Sequence, residues 1–183
     1  MNKSQHIKIS KFLSYILRHK PEAIELRLDS EGWADISTLI HLSNEKGQKL
    51  DLAMLHNVVD LSPKKRFSIS QDGMRIRASQ GHSLKQVDIK FEEKIPPEIL
   101  YHGTAHYFLE SILEQGLNAK ERQYVHLSID KEMAIQVGMR HGTPVVLKIN
   151  ALKLYHQGVK FYQADNDIWL TKFISPAQII QDE

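Results

Sequence analysis

The sequence predicts an α+β fold arranged as two successive lobes, and three observations point there. From Ile9 to Val59 the apolar residues recur at helical spacing. Around Asp72-Gly73 the period drops to two. From Ile99 onward short apolar strands alternate with helical stretches. Between the halves, Glu92-Glu93-Lys94-Ile95-Pro96-Pro97-Glu98 is polar and proline-bearing, which marks a boundary. The expected lobes are residues 1–92 and 93–183.

The first helix is written by Ile9, Phe12, Leu13, Ile16 and Leu17, an i, i+3, i+4, i+7, i+8 stripe with one buried face. Pro21 ends it, because proline lacks an N–H and pushes Lys20 out of the α region. Arg18 and His19 therefore stand at the C-terminal end of a packed helix, where positive charge is favoured. Asp29-Ser30-Glu31-Gly32 reads as a turn and Trp33 as a core anchor. Asp35 is placed to cap a second helix with Ile36, Leu39 and Ile40 inward. Asp51 is placed to cap a third, with Leu52, Leu55, Val58 and Val59 inward. Phe67 and Ile69 alternate with serines, Asp72-Gly73 turns the chain, and Met74, Ile76 and Ala78 alternate with Arg75 and Arg77. Short helices followed by a β-hairpin are the plan of a winged-helix module. Arg75 and Arg77 then share the solvent face of its wing, although most such charge pairs are simply solvated.

The second half opens with a strand at Ile99-Leu100-Tyr101 running into His102-Gly103-Thr104. A helix follows with Phe108, Ile112 and Leu113 inward and Gly116 past its end. Tyr124 to Ser128 reads as a strand, Asp130 as the cap of a helix through Ala134 and Val137, and Val145 to Ile149 as a buried strand. Val159 to Tyr162 and Ile168 to Thr171 complete the set. Neither a Gly-x-Gly-x-x-Gly turn nor a phosphate loop is present, which disfavours a Rossmann domain and a P-loop.

Composition narrows the function. A hydrophobic fraction of 42% and a charged fraction of 25% are those of an ordinary globular protein. The N-terminus has no apolar leader and the longest apolar runs are too short to span a bilayer, so a cytoplasmic location is expected. The absence of cysteine excludes disulfides, thiolate catalysis and cysteine-held metal sites, and no metal is expected. Net charge is +2, unevenly distributed: residues 1–92 carry 15 Lys+Arg against 11 Asp+Glu, a balance of +4, and residues 93–183 carry 9 against 11, a balance of −2. A phosphate-rich partner belongs with the first half.

The candidate chemistry lies where basic residues meet the ends of rigid elements: Arg18 and His19 at a helix end, Arg66 entering a strand after Lys64-Lys65, and Arg122 entering another. Arginine forms bidentate bonds to phosphate and stays charged. His102-Gly103-Thr104 reads as a strand-to-helix turn, where glycine admits a ligand and the helix N-terminus attracts an anion. His126 and Ser128 lie on one face of a neighbouring strand. A lone histidine of this kind is more often a hydrogen-bonded core residue.

The segments LSYILRHKPEAIELRLDSEGW, KKRFSIS, IRASQGHS, LYHGTAHYFLESILEQGL, RQYVHLS, VGMRHGTPVVLKIN and IWLT occur in this order through most of both halves. With them the chain resembles the KptA family of NAD-dependent RNA 2′-phosphotransferases. The resemblance implies a winged-helix lobe that binds RNA and an ADP-ribosyltransferase-like lobe that binds NAD as co-substrate. It places the family's catalytic tetrad on Arg18, His19, Arg66 and Arg122, and the NAD site on His102, Gly103, Thr104, His126, Leu127 and Ser128. Lys20, Lys64, Lys65, Arg75 and Arg77 are the expected RNA contacts. Ile168 stands where many ADP-ribosyltransferases carry a catalytic glutamate. Ser62-Pro63, Ser79 and Tyr124 depart from the more usual Asn-Asp, Asn and His.

The implied reaction has two steps. The internal 2′-phosphate of RNA attacks NAD and nicotinamide leaves. The ribose 2″-hydroxyl then attacks phosphorus, releasing repaired RNA and ADP-ribose 1″,2″-cyclic phosphate. The phosphate is already an anionic nucleophile, which accounts for a hydrophobic Ile168. The expected protein is a monomer of the kind that acts in tRNA splicing. Two other readings are an ADP-ribosyltransferase acting on nucleic-acid phosphates or protein, and a winged-helix regulator with a ligand-sensing second half.

Overall fold

The computed structural model describes residues 2–164 and 166–182, and the chain resolves into two compact units, Met1–Lys90 and Phe91–Glu183. Residues just past Lys90 are tied to the second unit: Glu93 bridges to Tyr162, and the Lys94 N–H donates to the Phe161 carbonyl at 3.0 Å.

In the first unit, α1 (Lys3–Arg18) is capped by Asn2, whose Oδ1 accepts the Gln5 N–H at 2.8 Å. Its predicted stripe is the core face: Ile9, Leu13, Ile16 and Leu17 are buried and Phe12 packs beside them. His19 is the C-cap, and Pro21 opens a short 3-10 turn, Pro21–Ile24. The two-residue strand β1 (Ala34–Asp35) leads into α2 (Ile36–Glu45), and Asp35 caps that helix through the Thr38 N–H at 2.7 Å. Asp51 caps α3 (Leu52–Asp60) through the Met54 N–H at 2.7 Å. The hairpin of β2 (Phe67–Ile69) and β3 (Arg75–Ala78) follows, with Ser68 opposite Arg77, in a sheet of order β1-β3-β2.

Three local expectations need correcting here. Leu52 and Met74 are exposed, because each sits at an element's rim rather than on its buried face. Trp33 is half-buried and not a core anchor. Its neighbour Ala34 takes the inward position on β1. The Arg77 guanidinium covers it at 4.5 Å and that of Arg75 at 5.6 Å.

The second unit is mixed α/β with small antiparallel sheets. In chain order come β4 (Leu100–Ala105), α4 (Leu109–Gln115), β5 (Leu117–Asn118), β6 (Val125–Leu127), α5 (Lys131–Gly138) and β7 (Pro144–Ile149). Then follow α6 (Ala151–His156), β8 (Tyr162–Gln163), β9 (Trp169–Thr171), β10 (Phe173–Ile174) and β11 (Ile179–Asp182). The sheets run β11-β7-β4, β6-β9-β8 and β10-β5, and a bridge between Tyr101 and Ser128 ties β4 to the end of β6. Leu100, Leu127, Leu147, Ile149 and Phe161 are central to the core. Leu113 is exposed, on the outer side of α4. The predicted strand at Val159 to Tyr162 begins only at Tyr162, since Phe161 is spent on the core. Among the described residues no helix is long and apolar enough to cross a membrane.

Candidate functional site

The first unit assembles one basic cluster around the end of α1. Arg18 is the last residue of that helix, and its Nη2 reaches the carbonyl of Arg66 at 3.4 Å. Arg66 enters β2 and is held in turn. Its Nη1 donates to Ser62 Oγ at 3.3 Å, and its carbonyl also accepts the Ser79 N–H at 3.0 Å. Ser79 Oγ donates to the Lys65 carbonyl at 2.9 Å, fixing a residue whose φ is +37°. The loop after β3 closes the cluster. Ser83 N–H donates to the Arg18 carbonyl at 3.0 Å, and His19 Nδ1 lies 3.0 Å from Ser83 Oγ. His82 is buried beneath them. Burial, and then the charges of Arg18, His19 and Arg77, lower its pKa to about 4, so it is neutral near pH 7.

The second unit brings His102, Arg122 and His126 together. His102 lies inside β4, and its Nδ1 is 3.0 Å from the His126 carbonyl. A carbonyl only accepts, so Nδ1 carries the proton. Burial lowers the His102 pKa and outweighs that bond's opposite pull. Arg122 occupies the turn before β6, and its Nη1 donates to His126 Nδ1 at 3.3 Å. Burial and then the nearby charge of Arg140 lower the Arg122 pKa. A like-charged pair at a partly buried place is relieved by an anion.

The other residues singled out from sequence fall as follows. Gly103 is in mid-strand, and the first helical turn opens only at His106. β4 continues through Thr104 to Ala105, so the strand-to-helix turn expected there does not form. The glycine is needed for another reason: a Cβ at Gly103 would lie 1.7 Å from the Ala134 carbonyl oxygen of α5. Thr104 is buried, and the Leu127 side chain belongs to the core. Ser128 is also buried, with its Oγ accepting the Asp130 N–H at 3.0 Å. Lys20 and Lys65 are exposed and Lys64 is half-buried. Arg75 pairs with Asp29 at 3.7 Å besides covering Trp33. Sequence reasoning assigned no role to Ser62, Ser79, His82, Ser83 or Arg140, all of which adjoin these clusters. The polar Ser-Gln-Gly-His-Ser run after a strand was the one signal that could have singled out the loop.

Arginine and histidine clusters held at the ends of rigid elements belong to proteins that grip an anionic group. A model of the RNA 2'-phosphotransferase, Tpt1 / KptA family, matches residues 4–173, and the chain belongs to that family. It is 63% identical over 174 residues to a probable RNA 2'-phosphotransferase of Pectobacterium atrosepticum, covering 95% of this chain and 96% of that one. A protein with the same description in Pectobacterium carotovorum is 58% identical over 171 residues, covering 93% of this chain and 92% of that one. One from Escherichia coli is 53% identical over 174 residues, covering 95% of each.

Proposed function

We propose that this protein removes an internal 2′-phosphate from RNA by transferring it to NAD, through a 2′-phospho-ADP-ribosylated RNA. The products are nicotinamide, ADP-ribose 1″,2″-cyclic phosphate and repaired RNA. Family membership supports the RNA 2′-phosphotransferase reading. The observation that carries the chemistry is the cluster in which Arg18 Nη2 meets the Arg66 carbonyl beside His19. In this reading the first unit is a winged-helix module that receives RNA. The arrangement α2, α3, then the β2–β3 hairpin supports it.

NAD is the co-substrate of this reading, and the second unit's residues fit it. The crowded charges of Arg122 and Arg140 suit a phosphate or pyrophosphate. His102, neutral and protonated at Nδ1, offers Nε2 as an acceptor for a ribose hydroxyl. The transferred phosphate needs no general base in the first step. In the second, charge gathers on the phosphoryl oxygens, which Arg18 and Arg66 are suited to stabilise while His19 handles the proton.

The test is product analysis on a synthetic RNA with one internal 2′-phosphate, incubated with NAD. Loss of the phosphate with release of nicotinamide is expected. Labelled NAD that marks protein and never RNA would replace this reading with a protein ADP-ribosyltransferase. One arginine contact to the phosphate is worth about 3 kcal/mol in the transition state. Arg18→Ala should therefore accumulate RNA still bearing ADP-ribose on its phosphate. An Arg18→Ala enzyme that stalls at unreacted RNA would move the tetrad's work to the first step.

A further inference from the structure

The loop from Ser79 to Ser83 is fastened to the end of α1 by two hydrogen bonds of Ser83. The Ser83 N–H donates to the Arg18 carbonyl at 3.0 Å. Ser83 Oγ lies 3.0 Å from His19 Nδ1. Gly81, at φ +89°, runs beside the Arg18 side chain, and a Cβ there would be in ordinary contact with Arg18 Cδ at 3.8 Å. Beneath the loop His82 is buried, and its Nε2 has no hydrogen-bond partner among the described residues. Ser83 is therefore not a surface serine beside a histidine by chance. Its main chain is fixed by the same helix end that carries the imidazole.

Resting on the function proposed above, we propose that Ser83 is a positioning residue for His19. Its hydroxyl holds the ring by Nδ1, so that Nε2 is the nitrogen turned to the transferred phosphate. Phosphate oxygens offer lone pairs, so the nitrogen that meets them must carry a hydrogen. With Nε2 protonated, Nδ1 of a neutral ring needs a donor, whereas Nδ1 of an imidazolium needs an acceptor. A carbonyl or carboxylate could serve only the second case and a backbone N–H only the first. A hydroxyl serves both by rotating about its C–O bond. Ser83 thus lets His19 gain and lose a proton during phosphoryl transfer without the ring changing place, which is what a proton-handling residue requires. Ser83 itself touches no reacting atom in this scheme.

The experiment combines turnover of 2′-phosphorylated RNA with 15N NMR of histidine rings in the full chain holding 2′-phosphorylated RNA without NAD. The chain has 10 histidines, and the His19 signals are those lost in His19→Gln. In the unaltered protein the neutral His19 ring should carry its hydrogen on Nε2 and accept at Nδ1. Ser83→Ala should give a mixture of tautomers and lower kcat about tenfold, the worth of one hydrogen bond, while KM for NAD stays within about twofold. Ser83→Thr, which keeps the hydroxyl, should restore both ring signature and kcat. A ring signature unchanged in Ser83→Ala overturns the proposal, as does an unchanged kcat. If Ser83→Ala fails to fold, the unaltered protein and Ser83→Thr still decide, because a hydrogen on Nδ1 of the neutral ring overturns it. A protein that shows the expected tautomer yet converts no RNA would refute the proposed function and not the Ser83–His19 link.

Discussion

The two basic clusters are built by opposite means. In the first unit, Arg18, His19 and Arg66 stand on helix and loop ends and are steadied by small polar groups: Ser62, Ser83 and the carbonyl of Arg66. In the second, the site is shaped by main chain against main chain. A Cβ on Gly103 would meet the Ala134 carbonyl oxygen at 1.7 Å, and one on Gly138 would meet the Thr104 carbonyl oxygen at 2.4 Å. So α5 lies directly on β4, and the strand that carries His102 holds its place because no side chain intervenes. The first cluster rests on bonds worth about 1 kcal/mol each, the second on close packing that admits no extra atom. Single substitutions should therefore erode the first and collapse the second.

The sharpest way to break that comparison is Gly103→Val. The new side chain has nowhere to go but into the backbone of α5, which is overpacking of the severest kind. A loss of about 4 kcal/mol from the second unit is expected. The tryptophans are placed to read it, Trp33 in the first unit and Trp169 in the second. In urea unfolding followed by each in turn, with the other changed to Phe, the Trp169 transition should shift and the Trp33 transition should hold. A Gly103→Val protein that keeps both midpoints and loses only NAD affinity would restore the reading of this glycine as room for a ligand.

The next effect sharpens the comparison inside the first unit, where one buried group does not follow the rule of small polar bonds. His82 has a folded pKa of about 4 against an unpaired value of 6.5. Between those values the unfolded chain binds more protons than the native one, so stability rises with pH across that window. Acidification from about pH 7 to pH 4 should cost the first unit about 3 kcal/mol through this group. His82→Gln removes the titration. Its Trp33-monitored stability should be nearly flat over the window, while the Trp169 signal keeps its own pH dependence from His102, whose pKa is also lowered. A Trp33 profile as steep in His82→Gln as in the unaltered protein would show that other groups carry the acid sensitivity.

What the sequence disclosed follows the same divide between local and distant causes. The stripe on α1, the caps Asp35, Asp51 and Asp130 and the Asp72-Gly73 hairpin depend on neighbours within a turn or two, and all form as read. The true extent of β4, the helix α6 and the strand β11 depend on pairing across the second unit, and the local pattern does not announce them. The residues of the clusters were legible by type: Arg18, His19, Arg66 and Arg122 as cations at element ends, His102 and His126 as strand histidines. Their supports were not. Ser83 meets His19 from 64 positions away, and nothing in either residue's surroundings signals the other. Gly103 was legible as a place needing no side chain, but the α5 backbone that presses on it was not.

The smallest effect tests whether the first cluster is as tolerant as the comparison claims. Ser62 is buried, and its Oγ accepts from Arg66 Nη1 at 3.3 Å. Ser62→Ala removes the acceptor of the Arg66 guanidinium and, at 3.5 Å, of the Arg66 backbone N–H. Stability should fall by about 1 kcal/mol, the net worth of one such bond. With one hold on the Arg66 guanidinium removed, kcat on 2′-phosphorylated RNA should fall about fivefold, less than loss of the arginine itself would cause. Urea unfolding and steady-state turnover measure the two together. A cost of 4 kcal/mol, matching that of Gly103→Val, would mean that the loop ahead of β2 is as tightly determined as the β4–α5 contact, and that the two clusters differ in their residues but not in how they are held.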